Sequence, residues 1–393
     1  MHRRRFKLVR MNEVVINGRF IGRRPTGVDR YAIEVIRALD DLLQQDDPDL
    51  RRFTFEILAP AGTLPPEGLK NIRFRCAGIG SGYAWEQLEL PRALHGRWLL
   101  NLCNTAPMIV QRQTVVVHDA ATARLTDAFS PMFRRVYGLM MPTIGRRACS
   151  PITISDFSRT ELSQCWGIDT HGSPLASGSG EHILRVEPDP DALDRYRLRP
   201  HAYVLAVGSA APHKNFARLA AAAGVLEGTG IDLAVVGASI PRVFGTADLA
   251  LSPAVRQIGY VDDRALRALY DNALAFAFPS IYEGFGLPPL EAMHCGCPVI
   301  ASSAASLPEV CGPAALYFDP LDAHSIEVAL LRIATRPAER AALIEAGHQR
   351  TTRFRWSDCA RAIVASIGRP DQRGSNRASP RRADGAVSRE HVR

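Results

Sequence analysis

Residues Leu274–Glu291 read LAFAFPSIYEGFGLPPLE, and the reading of this stretch decides the fold. Its first five residues are an uninterrupted apolar run, short and aromatic, which reads as a strand buried on both faces of a parallel sheet. Pro279 and Ser280 stop that run. The segment Tyr282-Glu283-Gly284-Phe285-Gly286 then turns sharply, with glycines where the backbone must bend or come close to a ligand. Pro288 and Pro289 stand where the first turn of a helix accepts proline, so Glu283 falls on a loop and Glu291 one turn into a helix. Two residues at this spacing on a single helix would diverge, whereas a strand-loop-helix corner lets them converge. Between them the amides of Phe285, Gly286 and Leu287, at the positive end of a helix, form a cradle for phosphate. A phosphate cradle flanked by two carboxylates suits a phosphorylated molecule that also carries several hydroxyls.

Outward from this corner the same pattern recurs. Tyr203–Val207 is a strand, GSAAPHKNF a loop, and a helix of alanines and leucines follows to about Leu226. Lys214 lies between strand end and helix, where its ammonium can reach a phosphate that the corner's amides also hold. Near the start, the strand Val14–Asn17 leads through GRFIGRRPTGVDRY, which contains Gly27, into an amphipathic helix over about 28–43. That loop is longer than a dinucleotide fingerprint and lacks its spacing. Thr114–Val117 is a buried strand with His118 and Asp119 directly behind it, at the carboxyl end where parallel sheets bind ligands. Gly259-Tyr260-Val261 occupies another strand end. Glu309, in the loop SLPEVCG, reads as a helix cap or a supporting residue. Further strands are expected at 53–58, 72–76, 98–103, 152–154, 232–236, 255–258, 299–301 and 316–318, with helices over about 85–94, 131–148, 157–165, 322–335 and 337–353. The Gly-, Ser- and Pro-rich text of 171–191 reads as an interdomain connector. The recurring strand, loop and helix give an α/β fold class of the doubly wound kind.

Composition bounds the function without choosing it. A chain of 393 residues with 46% apolar residues has room for two or three domains with ordinary cores. A net charge of +8 and a pI near 9.2 permit nucleic acid, an anionic membrane or phosphorylated substrates as partners. The eight cysteines are scattered with no C-x2-C pair, so they read as buried, reduced thiols of a cytoplasmic protein. The N-terminus MHRRRFKLVRM lacks an apolar core and is not a secretory signal, and no stretch approaches a membrane span. The helix that Ser130 and Pro131 open carries Arg134, Arg135, Arg146 and Arg147 beside Phe133, Val136, Leu139, Met140 and Met141. It suits an anionic membrane or a solvated surface equally. Nucleic acid is excluded as a partner, because the basic residues crowd the termini and no stacking aromatics alternate with them. The two Asp-x-Asp instances, Asp47-Pro48-Asp49 and Asp189-Pro190-Asp191, are interrupted by proline in polar loops and read as turns, so no metal or other cofactor is required.

Glu283 to Glu291 resembles the E-x7-E motif of retaining glycosyltransferases with the GT-B fold, in particular family 4, the glycosyl transferases group 1. EGFGLPPLEAMHCGCPVIAS resembles that family's signature throughout, and the likeness covers most of the chain apart from the last twenty or so residues. It implies two Rossmann-like doubly wound domains facing across a cleft, an N-terminal acceptor-side domain over 1–180 and a nucleotide-sugar-binding domain over 181–355, with a C-terminal helix at 356–368 crossing back to the first; the tail at 369–393, polar, basic and without aromatics, reads as disordered from its composition. It further implies a retaining transfer from a nucleotide-sugar to a hydroxyl acceptor, with Glu283, His118 and Asp119 at the reacting sugar. Lys214, the amides of Phe285, Gly286 and Leu287, and the Gly27 loop would hold the diphosphate, Glu291 the ribose and Tyr260 the base. The family often places an arginine and a lysine where this chain has His213 and Lys214, so the diphosphate role goes to Lys214 and His213 is left unassigned. TGVDRY and PHKN are similar to segments of bacterial polysaccharide mannosyltransferases, which implies GDP-mannose as donor. The same likeness, with the basic helix, implies a glycan or polyprenyl-diphosphate-linked glycan as acceptor; the missing signal and span point to a cytoplasmic enzyme, and the basic helix to a place on the inner face of the membrane. A nucleotide-sugar epimerase on this fold, which would act on donor without acceptor, and a non-catalytic nucleotide-binding protein are the alternatives.

Overall fold

The computed structural model describes residues 12–23, 25–148, 150–237 and 252–368; the basic N-terminal stretch and the tail at 369–393 lie outside them. Two parallel six-stranded sheets make up the frame. The first orders its strands β3-β2-β1-β4-β5-β6, from β1 (Glu13–Asn17), β2 (Thr54–Ala59), β3 (Arg73–Cys76), β4 (Trp98–Asn101), β5 (Gln113–Val116) and β6 (Ser150–Ile152). The second orders them β12-β11-β10-β7-β8-β9, from β7 (Tyr203–Val207), β8 (Asp232–Val236), β9 (Val255–Gly259), β10 (Ala275–Phe278), β11 (Val299–Ser302) and β12 (Ala315–Phe318). Every residue of β4, β5, β10 and β11 is buried, as strands covered by helices on both faces must be. In each sheet the strand order reverses once, between β1 and β4 and between β7 and β10. Ligand crevices of such sheets open beyond the carboxyl ends of the strands at that reversal.

The helix Gly27–Gln44 begins at a capping box in which Thr26 and Asp29 satisfy each other's amides. The last helix, Trp356–Ser366, packs on it and reaches β6, so the end of the described chain lies against the first sheet. Tyr31 joins these parts. Its hydroxyl lies 2.8 Å from the carbonyl of Ala176 and 3.1 Å from Cys359 Sγ, and its ring meets Trp356 edge-on. One buried apolar cluster thereby continues from the first sheet into the second.

Several expectations shift. β6 covers 150–152 and not 152–154, because Pro151 sits within it, and an edge strand tolerates a residue without an N–H. The segment expected as one helix over 85–94 contains a π-helical turn at Trp85–Glu89. The connector holds short helical turns at Glu181–Arg185 and Ala192–Tyr196. Both Asp-x-Asp segments are turns in which the first Asp accepts the amide of the second, at 3.0 Å in each. The cysteines described are free thiols, but Cys76 is exposed, because β3 is an edge strand with its side chains largely in solvent. No described helix is long and apolar enough to cross a membrane.

Candidate functional site at the facing strand ends

The corner Leu274–Glu291 is built as the sequence suggests. β10 ends at Phe278, Gly286 takes φ +112°, a region that favours glycine, and the helix Leu287–His294 starts immediately after it with prolines in its first turn. Ser306 braces the loop by donating its hydroxyl to the carbonyls of Glu283 (2.9 Å) and Phe285 (2.8 Å). The amides of Phe285, Gly286 and Leu287 meet no acceptor among the described residues. Phe285 is itself buried edge-on against Phe354, so its backbone rather than its ring is available.

Lys214 stands at the carboxyl end of the neighbouring strand β7, and its Nζ lies 2.6 Å from Glu283 Oε1. Asn215 holds this turn. With φ +59° it donates to the carbonyls of Pro279 (3.2 Å) and Pro320 (2.7 Å), tying the loop after β7 to the loop after β10. Lys214 and Glu283 therefore border the reversal of the second sheet.

His118 and Asp119 follow β5 and face this pair from the first sheet. His118 is buried, and desolvation lowers its imidazole to about 4, so the ring is neutral. Its Nε2 lies 2.8 Å from the carbonyl of Leu102, an acceptor, so Nε2 carries the hydrogen and Nδ1 is left to accept. Tyr31 packs edge-on against the same ring. The Asp119 carboxyl accepts the amide of Ala121 at 2.8 Å, yet it is raised above the ordinary carboxylate range, first by desolvation and then by Glu283.

The two halves touch at this point. Ser155 and Ser158 of the first half donate to the carbonyl of Gly284 at 2.6 and 3.0 Å, and Ser158 also donates to the carbonyl of His118 at 2.6 Å. The Tyr282 hydroxyl accepts the amide of Ala120 (3.2 Å) and donates to Glu161 (3.1 Å). Glu309 caps the helix Asp156–Trp166 from the opposite half, accepting the amides of Asp156 and Phe157 at 2.8 and 3.0 Å. Arg30 pairs with Asp263 at 2.6 Å across the rim, and Arg185 pairs with Glu34.

Glu291 is buried deeper than its spacing suggests. Tyr270 donates to one of its oxygens at 3.0 Å, and His182 Nε2, from the connector, lies 3.1 Å from the other. Desolvation works to raise this carboxyl, but the His182 and Tyr270 contacts outweigh it and hold it below its ordinary range. Gly27 is the first residue of its helix, and a side chain there would meet no atom within 4 Å. Tyr260 is exposed just past β9, beyond Gly259, whose carbonyl accepts the amide of Gly237 at 2.6 Å.

Sequence reasoning missed a polar network at the reversal of the first sheet. Asn17, at the end of β1, donates to Glu86 (2.8 Å) and to Asn101 at the end of β4 (2.9 Å). Arg19 reaches Glu86 at 2.9 Å and Thr105 at 2.8 Å, and its guanidinium lies over the ring of Tyr83. Glu86 is buried, and its Oε2 has no partner among the described residues. The π-helical turn that carries Glu86 has no sequence signature, although such turns cluster at functional sites.

Residues 197–350 match the model of the family described as Glycosyl transferases group 1. The chain is 34% identical over 229 residues, 54% of its length, to the O-antigen chain mannosyltransferase B of Escherichia coli, and this alignment spans 58% of that relative. It is 25% identical over 340 residues to the O-antigen chain mannosyltransferase RfbU of Salmonella typhimurium, covering 82% of this chain and 92% of the relative. Among solved structures, sucrose-phosphate synthase from Thermosynechococcus elongatus superposes with a TM-score of 0.68 at 20% identity, covering 89% of this chain and 96% of that one. The fold is GT-B.

Proposed function

From the premise that residues 197–350 form a glycosyl transferases group 1 domain on a GT-B frame, we propose that the protein is a retaining glycosyltransferase. It moves a hexose, mannose first, from a nucleotide-sugar to a glycan or polyprenyl-diphosphate-linked glycan in surface polysaccharide synthesis. The kinship with O-antigen mannosyltransferases supports GDP-mannose as donor. One observation carries the reading. Lys214, Glu283 and the three amides of the second half meet His118 and Asp119 of the first half at the carboxyl ends of both sheets. The chain divides accordingly into an acceptor-side domain at 1–180 and a donor domain at 181–355, with 356–368 returning to the first.

The reaction must stabilise a departing diphosphate and a cation-like sugar carbon. Lys214 and the amides of Phe285, Gly286 and Leu287 take the leaving charge, and the Gly27 loop closes on it from the first half. Glu283 binds sugar hydroxyls. Neutral His118 accepts a sugar hydroxyl at Nδ1 while Leu102 fixes its tautomer, and Asp119 lies beside them. Glu291 keeps lone pairs for the ribose beyond those that Tyr270 and His182 use. The base lies along Gly259–Tyr260. The acceptor's proton passes to the leaving phosphate itself. Both Asp-x-Asp segments are occupied as turns, which supports a reaction that proceeds without a divalent ion. The helix Pro131–Arg147 exposes Met132, Val136 and Leu139 beside Arg135, Arg146 and Arg147, which supports docking on an anionic inner membrane face.

The test is release of nucleoside diphosphate from a panel of nucleotide-sugars, with and without a lipid-linked glycan acceptor and with and without a chelator. Acceptor-dependent release from GDP-mannose that survives chelation is expected. Conversion of donor without acceptor would instead establish an epimerase.

A further inference from the structure

His182 lies in the connector, in the short helical turn Glu181–Arg185, and neither the sequence nor the family likeness assigns it a role. It is buried, and both of its ring nitrogens are engaged. Nε2 lies 3.1 Å from one oxygen of Glu291, and Nδ1 lies 3.4 Å from the indole Nε1 of Trp356, the first residue of the last helix. An indole N–H can only donate, and an ionised carboxylate can only accept. Nδ1 is therefore the acceptor, the ring hydrogen sits on Nε2, and it points at Glu291. The other oxygen of Glu291 takes the Tyr270 hydroxyl at 3.0 Å, so one donor on each oxygen holds the carboxylate in place.

The backbone around the ring is held as closely as the ring itself. Gly180 packs against the backbone of Leu290 and Glu291 so tightly that a methyl group there would overlap it. Glu181 accepts the amide of Trp356 at 2.8 Å, and Ser179 donates to the carbonyl of Phe354 at 2.8 Å. Residues 179–182 thus join the helix that carries Glu291 to the start of the last helix. Trp356 in turn meets Tyr31 edge-on, and Tyr31 meets His118 edge-on. A continuous line of side chains runs from His118 in the first half through Tyr31, Trp356 and His182 to Glu291 in the second.

We propose that His182 is a positioning residue for the donor: held in one tautomer by Trp356, it fixes the Glu291 carboxylate in the orientation that receives the ribose hydroxyls. This rests on the reading of Glu291 as the ribose ligand. Without the Nε2–H bond, Glu291 is held at one oxygen and can turn. The ribose hydroxyls then lose an oriented acceptor, while the contacts to diphosphate and base stay as they are.

The experiment is calorimetric titration of GDP and UDP, and of their 2′,3′-dideoxy counterparts, against wild type, His182→Leu, His182→Gln and Trp356→Phe, each paired with a thermal melt. Wild type is expected to prefer the ribonucleotide of the base it accepts by about tenfold or more, as a hydroxyl bonded to a charged acceptor gives. His182→Leu should erase most of that preference by weakening the ribonucleotide alone. His182→Gln, which keeps an N–H near the Nε2 position, should retain most of it. Trp356→Phe, which releases the tautomer, should shift the preference in the same direction as leucine does. A loss that falls equally on the ribo and dideoxy forms, or a preference unchanged in His182→Leu or in Trp356→Phe, overturns the role of His182 and leaves Glu291 standing. Should His182→Leu not fold, Trp356→Phe and His182→Gln decide by the same criterion. A wild type that binds both forms alike, or neither, refutes the ribose reading of Glu291 and the role of His182 with it.

Discussion

Alanine at Gly284 tests the seam where the two halves meet. Gly284 does not have a positive φ, so alanine adds no backbone strain. Its methyl would stand 2.6 Å from the carbonyl oxygen of His118 and 2.9 Å from Cβ of Asp119. Neither neighbour is the far end of a flexible side chain, and the His118 carbonyl is also held by Ser158. Ordinary contact begins near 3.4 Å, so the seam must open locally by about 0.8 Å. That movement takes the Ser158 bond to Gly284, now 3.0 Å, past hydrogen-bond range and stretches the Ser155 bond from 2.6 Å. Two weakened bonds at about 1 kcal/mol each bias the closed arrangement by roughly 1–3 kcal/mol, or about 5- to 150-fold. Donor that binds the closed form should lose affinity by a comparable factor, while the melting temperature moves by only a few degrees because neither sheet's core is touched. Calorimetry with GDP-mannose, paired with a thermal melt, reads both. A Kd within about twofold of wild type would refute the view that these contacts form the binding-competent arrangement.

Two other outcomes follow from buried charge and capping. His118 and His294 are both lowered to about 4, each first by desolvation, so between about pH 6.5 and 4 the unfolded chain binds protons that the folded one refuses. Stability is therefore retained above about pH 6.5 and falls as the pH drops toward 4, on the order of 3 kcal/mol for buried His118, and urea melts that stay level from pH 7 to 4.5 would contradict this. Glu309→Gln weakens a two-amide cap placed on one half by the other, costing about 1 kcal/mol and a melting shift of a few degrees, and an unchanged melt would show that this cap does not hold the halves together.

What the sequence revealed was local. The apolar run, the glycines and the prolines of 274–291 fix one strand, one sharp turn and one helix start within eighteen residues, and each feature acts on its own backbone. His118 and Asp119 were found the same way, from their place behind an apolar strand. The environment of Glu291 was not legible, because Tyr270 and His182 reach it from segments 21 and 109 residues away with no pattern linking them. Glu86 was invisible for the same reason, since a glutamate in an amphipathic stretch reads as solvated until Asn17, Arg19 and Thr105 surround it. Pro151 misplaced β6 because proline argues against a strand wherever the strand's position in the sheet is unknown.

The pairing of Lys214 with Glu283 has a chemical consequence for the proposed donor. An ammonium and a carboxylate 2.6 Å apart, both mostly shielded from water, satisfy each other, so neither is free for a ligand that offers only one of the groups they seek. A diphosphate that takes Lys214 leaves Glu283 as an unpaired carboxylate in a partly buried corner, close to Asp119, whose carboxyl its charge already raises. Hydroxyls of an attached sugar can satisfy that carboxylate. A whole nucleotide-sugar thus exchanges one internal pair for two external ones, whereas either fragment alone exchanges it for one and leaves a charge stranded. On the proposed function, recognition of the diphosphate and of the sugar is one event, set by the ion pair that must open first.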